Sequence, residues 1–167
     1  MKLLIASIIG YLGTACLVLS FQCRKESRLF LCMLLSGFFF VVHYGLKGDW
    51  SGMAMDAVCM VRAGMMYTGR KSLSGKPAKY VLLGMIVLLT VLTWQDVFSL
   101  FPMIALLVST WFIFAGKGDN IKKAQLFCTS PSWMVYNIYV RSWPGIICET
   151  LDMISVIVYF IRTRKDR

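Results

Sequence analysis

Negative charge is scarce in this chain of 167 residues, where eight Asp and Glu face eighteen Lys and Arg, and histidine occurs once. A single histidine excludes the paired-histidine metal motifs, HExxH among them. The six cysteines, Cys16, Cys23, Cys32, Cys59, Cys128 and Cys148, form no CxxC pair and fall mostly inside apolar stretches, so they read as small packing residues rather than ligands. No P-loop, no GxSxG and no nucleophile–base pair in a usable context is present, which leaves an enzyme as the least supported class and calls for no cofactor. Charged residues of both signs amount to only 16% and hydrophobic ones to 58%, against about 25% and roughly 45–50% in soluble domains. A water-soluble core cannot absorb that much apolar surface, and the mean hydropathy of +0.69 agrees. The solvent of this fold is lipid.

The net charge of +10 does not indicate a nucleic-acid partner, because the Lys and Arg residues sit between long apolar segments instead of covering one folded surface. Seven segments approach the roughly 20 apolar residues that span a bilayer: 3–21, 29–46, 51–68, 78–94, 98–115, 124–140 and 144–161. Each is expected to be a helix, since an unpaired backbone is not tolerated in hydrocarbon. The first run, 19 residues long and followed by a basic loop, reads as a membrane helix and not as a cleaved leader.

Positive charge stays on the cytoplasmic side of a membrane, so the loops test this count. Fourteen basic residues fall on one side: Arg24, Lys25, Arg28, Arg70, Lys71, Lys76, Lys79, Lys117, Lys122, Lys123, Arg162, Arg164, Lys165 and Arg167. The other side has three, Lys2, Lys47 and Arg141, while Arg62 lies within a segment. The expected topology has the N-terminus outside and the C-terminus in the cytoplasm.

A shift of 93 residues lays segments one to three on segments five to seven. Phe21 then falls on Phe114, Ser36 on Thr129, Phe40 on Trp133, Tyr67 on Phe160, and the charged Arg24, Glu26 and Lys71 on Lys117, Asp119 and Arg164. Most telling, Trp50-Ser-Gly52 coincides with Trp143-Pro-Gly145, and each glycine is followed four residues later by a carboxylate, Asp56 and Glu149. An even number of crossings separates the halves, so they run parallel. The expected fold is all-α, about seven transmembrane helices in a 3+1+3 parallel-repeat arrangement: a first three-helix repeat at 1–68, a linker and inverting helix at 69–97, and a second repeat with a basic tail at 98–167.

With the patterns VVHYGLKGDWSG at 41–52 and SPSWMVYNIYVRSWPG at 130–145, the chain resembles the YgjV-type family of bacterial inner-membrane proteins over nearly its whole length. The family pattern has Asn in helix three where this chain has Asp56, which adds a titratable group. The layout also resembles, in architecture alone, the SWEET and PQ-loop transporters, which pass small solutes between two three-helix bundles. The Pro-Gln dipeptide of the latter is absent.

Ionisable groups in lipid cost a few kcal/mol each and therefore usually face a wet cavity or a partner. Five qualify: His43, Asp56, Arg62, Glu149 and Asp152. Asp56 and Glu149, being repeat-equivalent, are expected on opposite walls of a central cleft. Glu149 and Asp152 share a helix face. Arg62 either serves as counter-ion to Asp152 or snorkels toward lipid phosphates. His43 with Tyr44 occupies the positions of Tyr136 with Asn137; Asn137 offers both donor and acceptor to a solute, whereas the tyrosines, with Trp50 and Trp143, suit an interfacial aromatic belt. Pro102 and Pro131 permit kinks that would serve as hinges. The Gly48–Gly52 spacing spans a turn and is not read as a helix-packing motif.

The expected function is small-solute transport, with the two bundles rocking about a cleft lined by Asn137, Asp56, Glu149, Asp152, Arg62, His43 and Tyr136, and with proton coupling through the carboxylates. The alternative is a membrane scaffold or regulatory protein in which these groups only join helices. The expected partners are the lipid bilayer and an unidentified small polar solute, and homo-oligomer formation is compatible with the sequence.

Overall fold

Long apolar runs punctuated by Gly, Pro and basic clusters give helices joined by short connections, and every regular element among the described residues is helical. The structure is a computed structural model that describes residues 1–23, 25–69, 75–115 and 118–165. In order these elements are α1 (Lys2–Gln22), α2 (Glu26–Lys47), α3 (Trp50–Thr68), α4 (Lys76–Leu92), a 3₁₀ turn (Val97–Ser99) leading into α5 (Leu100–Ala115), α6 (Gly118–Ala124), a π-helical turn (Gln125–Thr129), α7 (Ser130–Tyr139) and α8 (Trp143–Lys165). The segment α6–π–α7 is continuous, so the described residues form seven rods, as the hydropathy pattern predicts.

Four stretches are long and apolar enough to cross a membrane: Lys2–Ser20, Ser27–Lys47, Val97–Ala115 and Trp143–Thr163. The other three rods fall short for identifiable reasons. Helix α3 carries Asp56 and Arg62, α4 has only 17 residues, and the sixth rod is interrupted by its π turn. That rod also begins earlier than the apolar run suggests, because its first turns, Gly118–Ala124, are polar and basic. Pro131 sits in the first turn of α7, directly after the π turn. A proline lacks an N–H and crowds the carbonyl four residues before it, and a wider π turn is a local backbone solution to both problems. Pro102 likewise falls in the first turn of α5, where no kink is required.

The distribution of polarity is inverted relative to a soluble protein. Leu3, Leu4, Val81, Leu88, Val91, Leu92 and Phe127 are exposed, whereas His43, Ser51, Thr110, Ser130, Asn137 and Ser142 have no accessible surface or almost none. Lipid offers no hydrophobic drive for helices to associate, so packing and interhelical hydrogen bonds hold them together. Helix α1 packs on α2 and α8, α2 on α3, α3 on α5, α5 on α7 and α7 on α8, with α4 laid against α3 and α5. At the end where α4 begins, the Lys79 ammonium sits 3.1 Å from the centroid of the Trp111 ring on α5. The linker core at 70–74 and the basic residues Arg24, Arg70, Lys71, Lys117 and Arg167 lie outside the described residues.

Candidate functional site

Two turns, between α2 and α3 and between α7 and α8, organise the site. In the first, Gly48 adopts a left-handed φ of 77° and Asp49 caps α3, its Oδ1 accepting the Gly52 N–H at 3.1 Å. In the second, Arg141 takes φ 53°, the same region at an unfavourable cost for a residue with a Cβ, and Ser142 Oγ accepts the Gly145 N–H at 3.3 Å. The Asp49 N–H bonds the Tyr44 carbonyl at 3.0 Å, and the Ser142 N–H bonds the Asn137 carbonyl at 2.8 Å.

Each turn is then tied to the other half of the chain. His43 Nδ1 lies 2.7 Å from the Ala6 carbonyl, which can only accept, so Nδ1 carries the hydrogen. In the neutral ring Nε2 then accepts the Ser142 hydroxyl at 2.8 Å. Reciprocally, the Tyr136 hydroxyl donates to Asp49 Oδ1. Between these two bonds the Tyr44 hydroxyl donates to Asn137 Oδ1, joining residues 93 apart in sequence. All of these side chains are buried. Burial pushes the Asp49 carboxyl above the ordinary aspartate range, against the pull of the Tyr136 and Gly52 bonds.

Seven residues beyond each cap, about 10 Å along the helix axis, stand Asp56 on α3 and Glu149 on α8. Both are half-buried. Glu149 Oε2 is fully buried and no group donates to it. Aromatic rings close this level against the turns: Tyr44 stacks on Phe40 with centroids 6.1 Å apart and on Trp133 at 6.5 Å.

A further turn along, the halves differ. Asp152 Oδ2 accepts the Gln125 amide, from the π turn, and the Ser130 hydroxyl at 3.2 Å. Arg62 is not its counter-ion. The guanidinium instead donates to Ser109 Oγ at 2.8 Å and Thr110 Oγ1 at 2.9 Å on α5, so both the ion pair and the snorkel give way to a hydroxyl clamp between α3 and α5. Two hydroxyls one residue apart satisfy a guanidinium inside the protein without taking a carboxylate from the centre.

The structure therefore gathers His43, Tyr136 and Asn137 at the turns and Asp56 and Glu149 behind them, with Asp152 one turn deeper and Arg62 at a helix interface. Tyr136, assigned above to an interfacial belt, is buried and bonded, while Trp50 and Trp143 are exposed as a belt requires. Asp49, Ser142, Gln125 and Ser130 were not singled out from the sequence. The shift that pairs Trp50 with Trp143 also pairs Asp49 with Ser142, two good helix caps, and that signal was available. Nothing in the sequence points to Gln125, which depends on the π turn.

Among known proteins, no curated protein and no solved structure matches this chain. The polar residues buried between apolar helices and the four membrane-length spans agree with the description of the family whose model matches residues 4–167: the protein belongs to the Imp-YgjV family of bacterial inner membrane proteins.

Proposed function

We propose that this protein is a small-solute transporter of the inner membrane, working by alternating access between a bundle of α1–α3 (1–68) and one of α5–α8 (98–167), with α4 and its lead-in (69–97) inverting the chain between them. In this reading all seven rods cross the bilayer, the N-terminus lies outside and the C-terminus lies in the cytoplasm. The charge asymmetry of the loops supports the orientation. The contacts between halves support the repeat, because α1 on α8 and α3 on α5 exchange under a twofold that maps α1 to α5 and α3 to α8. The layout is that of SWEET and PQ-loop transporters, an analogy of architecture.

The observation that carries the proposal is the reciprocal pair His43–Ser142 and Tyr136–Asp49. Each bond joins the two halves, and each maps onto the other under the shift of 93 residues. They form a thin polar seal at one end of a cleft whose half-accessible carboxylates, Asp56 and Glu149, lie behind it. Few-bond seals between rigid bundles are elements that can break and re-form as the bundles rock.

The test uses the native Cys59 on α3, which is half-buried and lies three residues beyond Asp56. In protein reconstituted with the other five cysteines replaced, a membrane-impermeant thiol reagent is expected to reach Cys59 from the cytoplasmic face. Loosening the seal with His43→Ala and Tyr136→Phe is expected to admit the reagent from the opposite face. Shielding from both faces in both proteins would favour the scaffold reading instead.

A further inference from the structure

We propose that the apolar groove between α4 and α5 is a binding site for an anionic phospholipid, with an acyl chain laid along the groove and the headgroup phosphate on Lys79 and Lys76. The inference is independent of the transport reading and needs only that α4 and α5 stand in the bilayer.

Three observations carry it. First, a cavity of about 870 Å³ opens along the two helices, walled by Gly84, Val87, Leu88 and Val91 of α4 and by Leu107 and Trp111 of α5, and every residue that lines it is apolar or aromatic. Gly84 widens it, since a Cβ there would meet nothing within 4 Å. The twelve residues from Lys79 to Val91 cover about 18 Å of helix axis, close to the roughly 15 Å of hydrocarbon in one leaflet. Second, the groove ends on a cation. Trp111 lines the groove, and the Lys79 ammonium sits 3.1 Å from the centroid of its ring. The ring holds one side of an ammonium that has three donors, which leaves N–H groups for a phosphate. Lys76, exposed, lies three residues earlier on the same helix face. Third, the counter-charge is not built into these helices, because neither α4 nor α5 contains an Asp or Glu. Basic pockets between transmembrane helices receive anionic headgroups. The charge asymmetry of the loops places this mouth in the cytoplasmic leaflet.

Other occupants fit less well. A second copy of the chain, related by a twofold along the membrane normal, would bring the two α4 helices together at equal depth. Lys76 and Lys79 of one copy would then face the same residues of the other, with no acidic residue on α4 or α5 to offset them. A zwitterionic lipid fills the groove with the same chains but carries a cationic group to the same lysines.

The experiment is thermal unfolding of the purified full-length protein in detergent, titrated with dioleoylphosphatidylglycerol, with dioleoylphosphatidylcholine and with inorganic phosphate. Binding to the native state raises the unfolding temperature saturably. The expected result is a rise that saturates at a roughly tenfold lower concentration of phosphatidylglycerol than of phosphatidylcholine, as two basic residues at a membrane surface allow, and no rise with phosphate. Lys79→Gln is expected to weaken the phosphatidylglycerol response about fivefold and to leave that of phosphatidylcholine unchanged, while Lys79→Arg keeps the preference. Gly84→Leu fills the groove from a position with open space around it. It is expected to weaken both lipids and, without lipid, to unfold no earlier than the parent, since Leu is the better helix former. Should it fail to fold, Leu88→Trp on the exposed wall reads the same contrast. Equal responses of the parent to the two lipids overturn the anionic assignment, and a saturable rise with phosphate alone overturns the lipid. An unchanged phosphatidylglycerol response in Gly84→Leu and in Leu88→Trp overturns the groove as the place of binding. A parent dimer that Gly84→Leu turns into a monomer, by analytical ultracentrifugation, gives this face to a second copy and overturns the proposal.

Discussion

The turns at 48–52 and 141–145 are built alike, each with a side-chain oxygen accepting the N–H of a glycine three residues on, while a few turns away the same helices carry different chemistry. At the turns both halves use a left-handed residue (Gly48, Arg141), a capping side chain (Asp49, Ser142), an exposed tryptophan and a glycine under the opposing polar residue. Deeper in, Asp152 with its donors Gln125 and Ser130 stands where the first half has Cys59, Cys32 and Gly37. The difference teaches where constraint is shared. A helix reversal has few backbone solutions, so the two turns use the same one. The interior positions answer to whatever each half must hold, so they diverge.

The sharpest way to break this comparison is to fill the space beneath the two glycines. A Cβ on Gly145 would collide with the Asn137 carboxamide, and one on Gly52 would come to 3.0 Å from both the Tyr44 ring and Asp49 Oδ2. Gly145→Ala is expected to cost about 3 kcal/mol and Gly52→Ala about 1 kcal/mol, within the range for overpacked sites, read from denaturant titrations followed by tryptophan fluorescence. Equal and negligible costs would show that the close approach is not shared.

Removing the caps is the next largest effect. Asp49→Ala deletes a helix cap and strands the Tyr136 hydroxyl, for about 2 kcal/mol; Ser142→Ala deletes a cap and the partner of His43, for about 1 kcal/mol. If the two bonds seal one end together, the double variant should depart from the sum of the single ones by more than the roughly 0.5 kcal/mol expected of independent sites. Strict additivity would mean two separate turns and no common seal.

The smallest effect sharpens the asymmetry of the deeper level. Gln125→Ala takes a donor from Asp152 and is expected to cost about 1 kcal/mol, whereas Cys32→Ala at the corresponding place should change stability by only a few tenths. Similar costs at both positions, in the same titrations, would remove the distinction between the halves.

Much of the fold is legible in the amino-acid sequence. Apolar run length places seven rods, and the shift that superposes Trp50 on Trp143 already pairs Asp56 with Glu149 and Tyr44 with Asn137. The partners of Arg62 are not legible. Its neighbours Ser109 and Thr110 are ordinary hydroxyl residues of an apolar helix, and only the packing of α3 on α5 selects them over Asp152. The role of Gln125 is hidden for a related reason: a π turn changes which residue of a helix faces inward, and hydropathy does not record it.

By itself, then, the sequence determined that this chain lives in lipid and that its apolar runs are helices, because hydrocarbon enforces an internally bonded backbone. Only the tertiary structure decided which polar groups meet. It set His43 on Ser142 and Tyr136 on Asp49 and gave Asp152 its donors, because side-chain partners across a bundle depend on helix rotation and crossing, which no local pattern of residues encodes.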